Sequence, residues 1–203
     1  MKSNSEHWNS IFSQEHSTLG WYEKDLTPTF TLLNQIETWK SSTIFIPGAG
    51  TSTLVDTLLL ENTKLVLNDI SIIALNNLKE RLGKQNIDWL CQNIAQPIQK
   101  EIPIIDIWID RAVLHFLIEE ENINGYFDNL KSHLRIGGYA IFAEFSKKGA
   151  TKCAGLTIHQ YSTEELSKKL GTSFSLISSF EHVYINPNGD PRPYIYVLFK
   201  REE

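Results

Sequence analysis

Apolar residues follow two different periods along this chain. Short runs rich in Ile, Val, Leu and Phe alternate with segments in which apolar residues recur every three or four positions. The first pattern is typical of buried strands and the second of amphipathic helices. Strands are predicted at residues 43–46, 64–67, 88–91, 104–109 and 139–145. Helices are predicted before and between them, at residues 28–39, 54–59, 71–82 and 123–134. This alternation predicts an α/β fold with a parallel sheet.

The rhythm changes near the end of the chain. Ser162 and Glu165 have the spacing of a capping box, which predicts a short helix ending at Gly171. Two long strand-like runs follow, at residues 174–185 and 194–200, and only the turn-rich stretch 186–191 joins them. A crossover helix does not fit there, so the last two strands are expected to be antiparallel. The predicted architecture is a doubly wound, mostly parallel seven-stranded sheet with a C-terminal antiparallel hairpin.

Composition narrows the class of protein. A chain of 203 residues with 41% hydrophobic residues is expected to form one domain over residues 1–203, with an N-terminal lid or helical segment at 1–40 and the core at 41–203. The net charge of -5 argues against a nucleic-acid partner, because phosphate binding needs clustered Lys and Arg. No apolar run approaches the roughly 20 residues of a membrane span, so a cytoplasmic protein without a membrane partner is expected. Cys91 and Cys153 lack the spacing of a zinc site, and Cys91 is expected to be buried.

A glycine-rich turn follows the first predicted strand. Ligands of open parallel sheets bind beyond the carboxyl ends of the strands, and Gly48 and Gly50 allow close approach of a ligand to the backbone there. Asp69 lies roughly 20 residues further on, at the end of the second strand, where a carboxylate accepts hydrogen bonds from ribose hydroxyls. Thr53 stands where a dinucleotide fingerprint has its third glycine. The order therefore favours a nucleoside cofactor other than NAD.

Two segments carry a resemblance to a known family. The run Ile-Phe-Ile-Pro-Gly-Ala-Gly at 44–50 and the run Ile-Asp-Arg-Ala-Val-Leu at 109–114 resemble class I S-adenosylmethionine-dependent methyltransferases. Within that superfamily the Pro before the glycine turn and the Asp-Arg-Ala segment are most similar to the thiopurine and thiol or halide methyltransferase branch. The resemblance covers nearly the whole chain. It implies a Rossmann-like fold and S-adenosyl-L-methionine as methyl donor.

The resemblance also implies a donor site. In this donor site, the methionine part would be contacted by Gly48, Ala49 and Gly50, and the ribose and adenine by Asp69 and Ile70. The adenine edge would be contacted by Asn93 and Ile94, and the floor near the sulfonium would be formed by Asp110 and Arg111. Three positions depart from the family pattern. Ile46 replaces a common acidic residue, Ser52 a third glycine and Asn93 a common Asp. Donor affinity is the property that these departures put in doubt.

The acceptor side is less determined, because methyl transfer needs mainly an aligned nucleophile. His115, beside Asp110 and Arg111, is a candidate base, and a core histidine is the alternative. Trp21 and Tyr22 are expected either to cover the site as part of a lid or to fasten an N-terminal helix to the core. Glu144 ends the fifth strand, where it either orients an acceptor or stays solvated. Cys153 and His182 are further candidate substrate contacts, and no metal site is expected.

Three functions compete at this point. A methyltransferase acting on a small soft nucleophile (a thiol, chalcogen, halide or metalloid species) is favoured by Pro47 and the segment 110–112. A protein lysine methyltransferase is the first alternative, since the Trp21-Tyr22 segment also resembles such enzymes, although their Asp-Lys-Gly signature is absent. A non-catalytic nucleoside-binding module is the second alternative. A small-molecule acceptor is therefore preferred to a protein partner.

Overall fold

One mixed sheet organises the chain. The computed structural model describes residues 4–15, 19–22 and 25–203, so parts of the predicted N-terminal lid segment (1–3, 16–18 and 23–24) lie outside the described residues. The sheet contains the strands β1 (Thr43–Ile46), β2 (Lys64–Asp69), β3 (Ile87–Cys91), β4 (Ile105–Arg111), β5 (Leu134–Phe145), β8 (Phe174–Ile185) and β9 (Pro191–Arg201). A separate two-stranded hairpin comprises β6 (Lys152–Cys153) and β7 (Leu156–Thr157).

The strand order is β3-β2-β1-β4-β5-β9-β8. Strands β1 to β5 pair in parallel, whereas β9 is antiparallel to both β5 and β8. The predicted fold class, a mostly parallel seven-stranded sheet closed by an antiparallel hairpin, is confirmed. Strands β1 and β4 are neighbours, and the chain leaves them in opposite directions along the sheet. The strand order therefore reverses between β1 and β4, and ligands of such sheets bind at this point.

Helices cover both faces of the sheet. They are α1 (Asn4–Phe12), α2 (Thr27–Leu33), α3 (Leu54–Leu58), α4 (Ile72–Leu82), α5 (Glu120–His133) and α6 (Thr163–Leu170), with 3-10 turns at Trp39–Ser41 and Leu114–Phe116. Alternate strand residues face opposite layers. Ile44 and Ile46 pack with α2 and α3, whereas Phe45 packs with α5 and stacks on Trp108 at a ring distance of 4.1 Å. No described helix is long and apolar enough to cross a bilayer.

Several local predictions need correction. The helix expected over residues 28–39 ends at Leu33. Beyond it, Ile36 and Trp39 keep the apolar spacing, but the backbone forms short three-residue turns instead of a continued helix. Strand β5 begins at Leu134 rather than at the predicted residue 139. Gly137 and Gly138 therefore lie inside it, where an added Cβ on Gly138 would approach the Asp106 carbonyl oxygen to 2.9 Å. Cys91 is exposed rather than buried, since β3 is an edge strand.

Candidate active site

A cavity of about 130 Å³ opens at the carboxyl ends of the parallel strands. Each of the first four strands contributes a residue at or just after its end: Gly48 after β1, Asp69 in β2, Asn93 after β3 and Arg111 in β4. The remaining lining residues come from the strand ends, from the segment after β4, from the N-terminal region and from β7: Asn4, Trp8, Phe12, Trp21, Asn68, Ile70, Gln92, Ile94, Ala112, Val113, Phe116, Leu117 and Leu156.

A second cavity of about 50 Å³ adjoins the first along the glycine turn. Residues 46–54 line one side of it, and Tyr22 and Leu26 line the other. Trp21, Gly48 and Arg111 border both cavities. The two cavities therefore lie side by side, with these three residues between them.

The glycine turn requires its glycines. Gly48 and Gly50 have φ angles of +52° and +53°, a region that residues with a Cβ rarely occupy. A Cβ on Gly48 would lie 2.3 Å from Val113 Cγ2, so the turn and the segment after β4 are in direct contact. The Ala49 N–H donates to the Asn68 carbonyl oxygen at 2.7 Å, which ties the turn to β2. Close backbone approach is thus built into this edge of the sheet.

Asp69 joins the glycine turn to helix α4. Its Oδ2 accepts the Gly50 N–H at 2.8 Å, and its Oδ1 accepts the Ser71 N–H at 2.8 Å. Burial raises the pKa of this carboxyl to about 6, partly opposed by the hydrogen bonds from Ser71 and Gly50. Each carboxylate oxygen has two acceptor sites, so Asp69 retains capacity for a ligand hydroxyl at the cavity.

The ends of β2 and β3 are held together by amide side chains. Asn68 Nδ2 donates to the carbonyl oxygens of Leu90 and Gln92 at 3.0 and 2.9 Å. Asn93 Oδ1 accepts the Ala95 N–H at 3.0 Å, which shapes the loop after β3. The structure brings the predicted Asn93 and Ile94 to the same cavity as Asp69 and Ile70. Asn68 and Gln92 were not predicted, although both directly precede residues that were.

Aromatic rings from α1 and the following segment cover the cavity. Trp8 packs edge to face on Phe116 and Trp21 at ring distances of 4.7 and 5.6 Å, and Phe12 lies 5.9 Å from Trp21. Helix α1 is fixed to α4 by Asn77 Nδ2, which donates to the Phe12 carbonyl oxygen at 3.0 Å. The cavity wall thus includes Trp8, Phe12 and Trp21, from the N-terminal segment predicted as a lid or a helix fastened to the core.

Arg111 and Tyr184 hold the Trp21-Tyr22 segment by its backbone. Arg111 Nη1 donates to the Trp21 carbonyl oxygen at 2.9 Å, and the Tyr184 hydroxyl donates to the Tyr22 carbonyl oxygen. The Arg111 guanidinium also lies over the rings of Tyr184 and Tyr194, at 5.2 and 5.6 Å from their centres. Strands β4, β8 and β9 therefore all contribute to fixing this part of the cover.

His115, Asp110 and Glu144 lie behind the cavity wall. All three side chains are fully buried, and none lines the cavity. His115 Nδ1 is 2.6 Å from Glu144 Oε2, and Tyr126 Oη donates to Asp110 Oδ2 at 2.6 Å. Burial lowers the pKa of His115 to about 3, so its imidazole is neutral. The sequence suggested a base at His115 and an acceptor contact at Glu144. Both roles stay predictions, because neither side chain reaches the cavity surface in this arrangement.

Cys153 and His182 lie on β6 and β8. Cys153 is half-buried in β6, where burial raises the pKa of its thiol, and His182 of β8 meets the Tyr196 ring edge to face at 5.9 Å. Neither lines the two cavities, whereas Leu156 of β7 does. In the described part of the chain, no group of three or more His, Cys, Asp or Glu side chains is arranged to hold a metal ion.

Comparisons with solved structures agree on the fold. No protein-family model matches the chain. A malonyl-acyl-carrier-protein O-methyltransferase 2 of Ilyobacter polytropus is 30% identical over 105 residues, which span 49% of this chain and 38% of that protein. A SAM-dependent methyltransferase from Anabaena variabilis superposes with a TM-score of 0.75 at 16% identity, over 98% of this chain and 93% of that one.

A second solved structure has a ligand in its site. The N-methyltransferase NodS of Bradyrhizobium japonicum, in complex with S-adenosyl-L-homocysteine, superposes with a TM-score of 0.69 at 15% identity, over 97% of this chain and 100% of that one. The chain has the class I fold of SAM-dependent methyltransferases.

Proposed function

We propose that the chain is a SAM-dependent methyltransferase whose acceptor is a small molecule with a soft nucleophile, such as a thiol, chalcogen, halide or metalloid. The observation that carries the proposal is the convergence of the glycine turn, Asp69 and Asn93 on one cavity at the carboxyl ends of β1, β2 and β3. These were the residues that the resemblance assigned to the donor. The fold shared with methyltransferases supports the same interpretation.

The residues present fit S-adenosylmethionine. Gly48 and Gly50 leave space for the methionine part along the second cavity, and Asp69 has acceptor capacity for ribose hydroxyls. Ile70 and Ile94 offer apolar contacts for adenine, and Asn93 offers an amide to its edge. When bound, this donor supplies an activated methyl group on a cationic sulfur. The cavity lining includes the aromatic residues Trp8, Trp21 and Phe116, and aromatic rings favour a nearby cation.

The acceptor side supports a nucleophile that needs little help from a base. Among the described residues that line the main cavity, the ionisable side chains are Asp69 and Arg111. Asp69 is committed to the glycine turn and the predicted ribose contact. A thiolate or halide reacts without losing a proton to the protein, so it suits a site whose described walls are mainly aromatic and aliphatic.

A carboxylate is the second candidate acceptor. The curated relative is named as an O-methyltransferase acting on a malonyl group, and Arg111 lines both cavities of this chain. A guanidinium binds carboxylates well, and a carboxylate is already ionised at neutral pH. This acceptor is therefore the alternative that the next experiment must separate from the soft nucleophiles.

Formation of S-adenosylhomocysteine tests the proposal. Purified protein is incubated with S-adenosylmethionine and, separately, with thiols, selenols, halides and small carboxylic acids, and the nucleoside product is quantified. We expect turnover with at least one soft nucleophile. Turnover with carboxylic acids alone would move the second candidate to the front. Donor binding without turnover of any acceptor would refute this acceptor class and favour the non-catalytic module.

A further inference from the structure

The segment after β4 is held by two buried carboxyl groups. Asp110 Oδ1 and Oδ2 accept the N–H groups of Val113 and Leu114 at 3.1 and 3.2 Å. Glu144 Oε2 accepts the next N–H along the chain, that of His115, at 3.2 Å. Three consecutive backbone donors of one turn are thus satisfied by side chains from two adjacent strands. The same turn begins with Ala112 at a φ of +68°, a conformation that needs such support.

The turn forms a wall of the cavity. Ala112, Val113 and Phe116 line it, and the Val113 methyl group occupies the space that a side chain at Gly48 would need. Any shift of the turn would therefore change the space beside the glycine turn. Asp110 and Glu144 act on the cavity through this backbone rather than by touching a ligand, so they are positioning residues.

The two carboxyl groups lie on paired neighbouring strands and on the same face of the sheet, because Asp110 pairs with Phe142 and Glu144 follows Phe142 by two residues. Two ionised carboxylates so placed repel each other, and both are shielded from water, so the charge of Glu144 raises the pKa of Asp110. Glu144 Oε1 is buried and has no hydrogen-bond partner, so a proton between the two groups would satisfy it. We propose that Asp110 and Glu144 share one proton and that this protonated pair holds the 112–116 turn against the donor cavity.

The surroundings of the pair favour a single negative charge. Arg111 lies beside it on β4, and the neutral imidazole of His115 is close enough for Nδ1–H to donate to Glu144. From α5, the Tyr126 hydroxyl donates to Asp110, and the Tyr161 ring approaches Glu144 from the segment before α6. One cation and several hydrogen-bond donors can balance one charge, whereas two charges would have to share the same partners.

The pair should therefore lose its hold as the pH rises. Burial raises the pKa of Glu144 to about 8 and that of Asp110 well above its ordinary value. Between the ordinary carboxyl pKa and the raised one, the folded protein binds a proton that the unfolded chain has released. Stability from the pair is therefore fully present below the ordinary carboxyl pKa, falls as the pH rises from there to about 8, and is lost above it.

Replacement of Glu144 by glutamine tests the shared proton. In E144Q the amide oxygen can still accept from His115, and the amide N–H₂ donates permanently to Asp110. Thermal unfolding and S-adenosylhomocysteine affinity are measured from pH 6 to pH 10 for the wild type, E144Q and the surface control E181Q, whose carboxylate pairs with Lys148. We expect E144Q to match the wild type at pH 6 within about twofold in affinity. The unfolding free energy of the wild type should fall relative to that of E144Q between pH 6 and pH 8 and then level off, whereas its affinity should fall about tenfold per pH unit relative to E144Q above pH 8.

Infrared spectroscopy of the wild type adds a measurement that does not depend on whether the variant folds. Infrared spectra of the wild type at pH 7 should contain the stretching band of a buried protonated carboxyl, and E144Q should lack it. Absence of that band from the wild type, or the same pH profile for the wild type and E144Q, would overturn the shared proton. The affinity readout rests on the proposed function; the unfolding and infrared readouts do not, so a failure of donor binding alone leaves them to decide the matter.

Discussion

Replacement of Gly48 by alanine tests the contact between the glycine turn and the 112–116 turn. The backbone at Gly48 has a φ of +52°, which costs an L-residue about 1–2 kcal/mol. The new Cβ would also lie 2.3 Å from Val113 Cγ2, and overpacking of this kind typically costs about 1–3 kcal/mol. G48A is therefore expected to lose about 2–5 kcal/mol of unfolding free energy.

Gly83 provides a control without steric contact. Its φ and ψ are +65° and -151°, and a Cβ there would meet nothing within 4 Å, so G83A should show a backbone cost without a clash. Urea unfolding measures the stability of both variants, and calorimetric titration with S-adenosylhomocysteine measures their donor-site affinity. We expect G83A to keep the wild-type affinity and G48A to lose it. In the double variant G48A/V113A, removal of the Val113 methyl groups should restore part of the loss, as a positive coupling energy. Wild-type affinity in G48A, or additive energies in the double variant, would contradict the contact between the two turns.

Three further predictions concern the cavity lining. D69A should weaken S-adenosylhomocysteine binding by about 1–3 kcal/mol, roughly 5- to 150-fold, because polar partners lose their acceptor, whereas D88A on the surface should leave calorimetric affinity unchanged. Burial raises the pKa of Asp69 from 3.8 to about 6. As the pH rises from 3 to 7, the unfolding free energy of the wild type, measured in urea, should therefore fall by about 3 kcal/mol relative to that of D69N. A difference that does not change with pH would contradict the buried carboxyl. Donor binding should change the fluorescence of Trp8 and Trp21, so W8F and W21F should reduce the signal while W89F, remote on β3, should not.

Much of the fold follows from apolar periodicity and connection lengths. Strand β8 spans the predicted residues 174–185, and the short connection to β9 dictated their antiparallel pairing. The failures occur where one pattern has two structural solutions. Apolar residues at helical spacing over 28–39 suit both a continuous helix and a helix followed by short turns. A glycine pair suits both a turn and an irregular strand, and only the approach of the Asp106 carbonyl selects the second at Gly138.

The site was predictable as far as strand ends determine it. Gly48, Asp69 and Asn93 are far apart in sequence, but parallel strands bring their carboxyl ends to one edge of the sheet. Depth below the surface was not predictable. A polar residue at a strand end is expected near solvent, yet Glu144 is fully buried because the 112–116 turn folds over it. The N-terminal segment was predicted as a lid or a helix fastened to the core. The sequence did not indicate that the rings of Trp8 and Phe12 line the cavity, since an apolar helix face packs equally well on a core or over a ligand cavity.

Calorimetric titration of the purified wild-type protein with S-adenosylmethionine, S-adenosylhomocysteine and NADH shows whether this cavity binds a methyl donor. We predict saturable binding of the first two and no heat of binding from NADH, because the glycine turn and Asp69 suit a nucleoside while the dinucleotide fingerprint is broken at Thr53. Binding of NADH alone, or of none of the three, would contradict a methyl-donor site in this cavity.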